Sequence, residues 1–232
     1  MKNLRNAFLG LGLAGAAVLA QASPIFLDFE GIADDTSVAD FYNGGGGTNY
    51  GVSFSLGGVA QVDKDAGGSG DFANEPSPST VVFFVDSTQS SFLNYAPGFN
   101  TSVSFFYSSV TDTNVKVYTE LNGGGSLLGS IALTSQFDLG GCNGDPTGTF
   151  CNFTLASLIF TGTGKSIDFG ETLNQVAFDN IALNAGALPP GNGGGNNKVP
   201  EPHTLALMGL ALAGMGAVRR HKPVAGRDES LA

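Results

Sequence analysis

Between Ile25 and Leu183 no stretch of the chain sustains the 3.6-residue apolar period of an amphipathic helix. Short apolar or alternating segments stand there instead, at 25–30, 50–56, 80–86, 102–108, 114–121, 127–133, 152–158 and 175–183. They are rich in Val, Ile, Phe, Tyr and Thr, and Gly, Asn, Asp and Pro bound them. Such side chains suit a pleated, half-buried surface, and such boundaries suit turns. Strands this short bury their apolar faces only by stacking one sheet on another. The prediction is an all-β fold, an antiparallel β-sandwich. The segment 36–41 reads as one short helical turn.

Charge narrows the function. The chain has 232 residues and a formal net charge of −10. From Ser23 to Lys198 the only bases are Lys64, Lys116, Lys165 and Lys198, whereas acids run from Asp28 to Asp179. A surface this acidic disfavours nucleic acid, whose phosphates need Lys and Arg. It suits solubility outside the cell, or cation binding. Both histidines, His203 and His221, lie near the C-terminal end. The middle therefore has neither a Ser-His-Asp nor a Cys-His arrangement, and zinc lacks its usual ligands. A glycosidase needs only two carboxylates, but nothing marks such a pair, so no enzyme is expected.

Several local motifs carry less. Asp63, Asp65, Gly68 and Asp71 fall at EF-hand spacing, but Asn74 stands where a Glu is needed, so a solvated loop is expected. The glycines 44–47 are not followed by Lys-Ser/Thr, which excludes a phosphate cradle. Tyr95 or Tyr107 could stack on a sugar ring, whereas core packing is the default for the phenylalanines. Asn100-Thr101-Ser102 and Asn152-Phe153-Thr154 match the glycosylation tripeptide, a pattern that chance also produces.

The outermost strands hold the candidate site. In 25–31, Ile25, Leu27 and Phe29 share one face, and Asp28 and Glu30 share the other with Phe26. In 176–183, Val176 and Phe178 have one parity and Ile181 and Leu183 the opposite, which predicts a β-bulge at Asp179-Asn180. If these strands pair, Asp28, Glu30 and Asp179 come together. Hard oxygens without histidine would suit Ca²⁺, and surface carboxylates with an Asx-capped turn are the plain alternative. The layout loosely resembles jelly-roll, lectin-like carbohydrate-binding modules, whose terminal strands often supply a structural calcium site.

The two ends read as addresses. Lys2 and Arg5 precede an apolar run at 7–19 and an A-x-A site, Ala20-Gln21-Ala22. This is the pattern of a signal peptide, 1–22, handled by the Sec translocon and cut before Ser23. The 23–186 module is followed by a Gly/Pro/Asn linker at 187–198. Next come Val199-Pro200-Glu201-Pro202, an uncharged apolar run at 204–218, and the basic stop Arg219, Arg220 and Lys222. The prolines keep the motif extended. At ~1.5 Å per residue the apolar run reaches about 22 Å, against ~30 Å of hydrocarbon. The basic stop belongs on the cytoplasmic side. A plain C-terminal anchor is the alternative. The residues 223–232 form a polar tail. Cys142 and Cys151 bracket a short loop, and in an exported protein such a pair is expected to form a disulfide.

Val199-Pro200-Glu201-Pro202, the apolar run and Arg219-Arg220 together resemble a PEP-CTERM sorting signal. The resemblance spans about a tenth of the chain. It implies that an exosortase in the inner membrane reads the signal in an exopolysaccharide-producing Gram-negative bacterium. The precursor would be anchored there facing the periplasm, and the product would reach the cell surface or the medium. The expected role is a non-enzymatic surface, biofilm or matrix protein, with a module binding exopolysaccharide as the alternative. The fold expected overall is a jelly-roll-like sandwich flanked by an N-terminal signal helix and a C-terminal hydrophobic sorting helix.

Overall fold

A computed structural model describes residues 23–85, 88, 90–137, 142 and 149–185. The chain divides into two units, Met1–Gly193 and Gly194–Ala232, and the second lies wholly outside the described residues. The expected signal helix and sorting helix lie outside them too. Among the described residues no helix is long and apolar enough to cross a membrane.

The described part is all-β, with two antiparallel sheets. In chain order the strands are β1 (Ile25–Leu27), β2 (Thr36–Ser37), β3 (Val52–Phe54), β4 (Gly58–Val62), β5 (Thr80–Phe84) and β6 (Phe92–Phe99). They continue as β7 (Ser102–Ser109), β8 (Thr113–Tyr118), β9 (Leu127–Leu133), β10 (Thr154–Ile159), β11 (Gly164–Asp168) and β12 (Val176–Leu183). The larger sheet runs β10-β7-β12-β5-β4-β2, with β1 added to β12, and the smaller runs β3-β6-β11-β8-β9. Each of the eight segments chosen for its apolar pattern contains a strand.

The expected helical turn at 36–41 is corrected. Thr36 and Ser37 pair with Ala60 and Val59 as a strand, and a 3-10 turn begins only at Phe41. The sequence pattern also missed β4, β6 and β11. β6 contains Pro97 and Gly98, which argue against a strand. They are tolerated because the register with β11 shifts there, between Gly164 and Ser166. Gly98 has φ +88°, and a Cβ on it would strike the Thr163 side chain, so only glycine fits.

Facing strands fill the core with phenylalanine. Phe29, Phe84, Phe99, Phe105, Phe169 and Phe178 have no exposed surface and belong to one cluster. β5 is buried along its whole length because it is covered on both faces. Val82 and Phe84 enter the main core, whereas Val81 and Phe83 sit in a second cluster with Phe72 and Ala177. Phe150 and Phe153 pack against that second cluster. The Ala73 N–H donates to the Phe150 carbonyl at 3.0 Å. The Cys142–Cys151 disulfide forms next to Phe150, as the spacing implied. It fixes Cys151 between Phe150 and Phe153, the two rings that pack against that second cluster.

Candidate functional site

β12 organises the predicted site. On one edge it pairs with β7. On its other edge Phe178 pairs with Val82 of β5, whereas Ile181, Ala182 and Leu183 pair with Leu27, Phe26 and Ile25 of β1. β1 and β5 thus share one side of β12, and the chain must leave β12 just after Leu27. Phe29 with φ 62° and Gly31 with φ 85° make that departure. The expected bulge is present, because the β12–β7 register shifts between Asp179 and Ala182 and Asn180 has φ 49°. It lets Phe178 and Ile181 both face the core.

The terminal strands therefore pair, but their carboxylates are engaged by hydrogen-bond donors. Asp179 has no exposed surface. Its Oδ2 accepts the Ser77 N–H at 2.7 Å, and its Oδ1 accepts the Ser77 hydroxyl at 2.8 Å and the Asn180 N–H at 2.6 Å. Glu30 Oε1 accepts the Ser79 N–H at 3.0 Å and the Thr80 N–H at 2.8 Å, and Oε2 accepts the Ser79 hydroxyl at 3.1 Å. Asp28 accepts a hydrogen bond from the Tyr42 hydroxyl at 3.3 Å, while that hydroxyl accepts the Phe29 N–H at 2.6 Å. Asp28, Glu30 and Asp179 thus each accept hydrogen bonds from the protein's own donors. Among the described residues no group of three or more His, Cys, Asp or Glu is placed to hold a metal ion. Glu30 and Asp179 instead clasp the Ser77–Thr80 segment onto the seam between β1 and β5.

Electrostatics around the clasp favour protons. Burial pushes the Asp179 carboxyl up to about 7, its hydrogen bonds from Ser77 and Asn180 oppose this, and the Glu30 charge adds to it. Burial also pushes Glu75 up to about 7, with the Asp63 and Glu30 carboxylates adding to it. Burial raises the Tyr42 hydroxyl above its ordinary value. Among the described residues the ion pairs Lys116–Glu171 and Lys165–Glu120 involve lysines of the smaller sheet, so neither neutralises this cluster.

The other motifs resolve simply. Asp63 caps the 3-10 turn Lys64–Ala66 through the Asp65 N–H at 3.2 Å, so the EF-hand-like spacing is a capped turn. Tyr107 is 4% exposed and its hydroxyl accepts the Thr134 N–H at 3.1 Å, which removes it as a sugar platform. Tyr95 stays half-exposed. Ser23 is exposed ahead of β1. Ala20, Ala22, Val199, Pro200, Glu201, Pro202, Arg219, Arg220 and Lys222 lie outside the described residues. Sequence reasoning missed Ser77, Ser79 and Tyr42, whose only signal was a run of hydroxyls set between prolines at 76–80 and a tyrosine beside glycines.

Fold and site together define an antiparallel two-sheet β module held at its terminal strands by the buried Asp179 and the half-buried Glu30. The chain also carries a match to the PEP-CTERM protein-sorting motif at residues 198–220, which marks an exported protein. No curated protein matches. One similar solved structure is a carbohydrate-binding module from Clostridium stercorarium in complex with cellobiose, 20% identical, covering 45% of this chain and 72% of that one, TM-score 0.30. A second is a carbohydrate-binding module of Cellvibrio mixtus lichenase 5A in complex with cellotriose, 15% identical, covering 57% and 91%, TM-score 0.35. A third is the catalytic domain of a GH87 alpha-1,3-glucanase in complex with tetrasaccharides, 15% identical, covering 51% and 23%, TM-score 0.29. Likeness at this level carries no inference about ligand or chemistry.

Proposed function

We propose that the chain is a non-catalytic module of the cell surface or extracellular matrix, delivered by its C-terminal signal. The observation that carries this is the PEP-CTERM match at 198–220, directly behind a Gly/Asn-rich linker and an acidic sandwich. The signal peptide passes through the Sec translocon, and the apolar run holds the precursor in the inner membrane facing the periplasm. An exosortase then acts near Val199-Pro200-Glu201-Pro202 and frees the module. A non-catalytic role is supported by the clasp, because Asp179 has no exposed surface and cannot touch a substrate.

The test is intact mass and fractionation in the host, with and without exosortase, beside a Pro200→Ala/Glu201→Ala/Pro202→Ala variant. The expected product starts at Ser23 and lacks the apolar tail only when enzyme and motif are both intact. A tail that stays in the membrane in every strain makes this an ordinary anchored envelope protein.

Exopolysaccharide binding is the second reading, and one observation favours it. Half-exposed Tyr50 is stacked on Tyr42 at 6.3 Å, next to exposed Asn43, Thr48 and Asn49. A ring face beside amides and a hydroxyl suits a sugar. Tyr50→Ala is expected to lower retention on host exopolysaccharide in affinity electrophoresis at least tenfold. Unchanged migration of the unmutated protein with and without polysaccharide would dismiss this reading.

A further inference from the structure

The two edges of the larger sheet are built differently. At one edge β2 is two residues long and is flanked by Asp34, Asp35 and Asp40. A short edge strand bordered by charge discourages pairing with another chain. At the other edge β10 has six residues, and among the described strands it pairs only with β7. It carries no charge and no proline, and the surrounding stretch 149–164 contains no Asp, Glu, Lys or Arg. Beside it lies β9, the edge of the smaller sheet, where a Cβ on Gly129 would meet Leu158 at 2.8 Å. The stretch 121–137 around β9 is uncharged as well.

Exposed apolar groups occur in these same uncharged stretches. Among the described residues the large exposed ones are Leu56, Leu121, Leu127, Phe137 and Ile159, and all but Leu56 fall in the two uncharged stretches. Ile159 is 73% exposed, on the edge strand itself. In a chain of net charge −10, copies repel one another over most of their surface, and this side is where that repulsion is weakest.

We propose that β10 is a self-association edge, where a second copy of this chain pairs antiparallel and joins the two larger sheets. The strand is complementary to itself. With the twofold axis at Ser157, Leu155 lies opposite Ile159 of the second copy, and Ala156 lies opposite its Leu158. Apolar pairs then form on both faces, and the same patch serves both copies, as a closed dimer requires. Charge-free edges on β9 of both copies lie alongside.

The test is sedimentation velocity of the protein purified as its host exports it, at high micromolar concentration. The unmutated protein is expected to sediment at twice the mass of one exported copy, and Ile159→Lys at the mass of one copy. Ile159 is exposed, so Ile159→Lys should keep its melting temperature, which a thermal scan checks. Ser157→Cys supplies an independent readout, because on the axis it faces its own copy and should give a disulfide-linked dimer on a non-reducing gel. A monomer at every concentration overturns the proposal. So does a dimer that survives Ile159→Lys, or one that Ser157→Cys fails to cross-link.

Discussion

Replacing Asp179 by Ala is expected to cost about 3–5 kcal/mol, because it strands the buried N–H and hydroxyl of Ser77 and the part-buried N–H of Asn180. No exposed surface at Asp179 leaves room for solvent to replace it. Such a loss takes a large share of the ~5–15 kcal/mol that holds a domain together. Urea unfolding followed by circular dichroism measures it, and a loss below about 1 kcal/mol would show that the clasp contributes little. The same carboxyl gives a pH dependence of definite sign. Asp179 and Glu75 ordinarily titrate at 3.8 and 4.5, and in the folded protein both are pushed up to about 7. Folding therefore takes up protons between those values, so their contribution is complete below them and is lost as pH rises through about 7. The midpoint should fall from mildly acid to neutral pH and level off above. Asp179→Asn, which removes one titrating group, should flatten that slope. A rise in midpoint on replacing EDTA with Ca²⁺ above neutral pH is the observation that would place a cation at the clasp.

Phe178→Ala is expected to destabilise by about 3–5 kcal/mol, the usual cost of emptying a buried aromatic site. Phe178 meets Phe169 at 4.9 Å, Phe105 at 5.2 Å and Phe84 at 6.2 Å between ring centroids. Phe84 and Phe169 stack on each other at 4.5 Å, so the hole would open between the two sheets. Neighbours held by other rings cannot collapse into it, which places the cost toward the upper end. Phe178→Leu keeps more of the volume and should lose less than half as much. Phe137→Ala, at a side chain 51% exposed, is the control and should change stability by no more than about 0.5 kcal/mol. Equal effects at Phe178 and Phe137 in equilibrium unfolding would contradict the assignment of the core.

What was legible in the chain was whatever one strand encodes by itself. β7 and β12 advertise themselves because inward residues must be apolar, and the parity switch at Asp179-Asn180 is visible since the core demands apolar groups on both sides of it. β4, β6 and β11 are not visible. In β11 only Ile167 is apolar, and Ser166 is buried because its hydroxyl donates to the Glu120 carbonyl. Partners distant in sequence decide such strands, and no local pattern announces them. The clasp divides the same way. Register could bring the carboxylates of β1 and β12 near one another, but it could not say that Ser77 and Ser79 would occupy their oxygens. Those donors arrive from a different part of the chain, and nothing in an alternating pattern encodes where a serine at 77 or 79 will lie.

The pairing of Ile25 with Leu183 has a consequence for biogenesis. The ribosome makes β1 first and β12 last, so the first strand waits for nearly the whole module before its partner exists. β12 also lies between β7 and both β1 and β5, so the larger sheet has no centre until it arrives. Contacts this distant in sequence close slowly, at a high entropic cost. A nascent chain that has yet to receive β12 cannot complete the larger sheet. The larger sheet closes only once its last strand has been made.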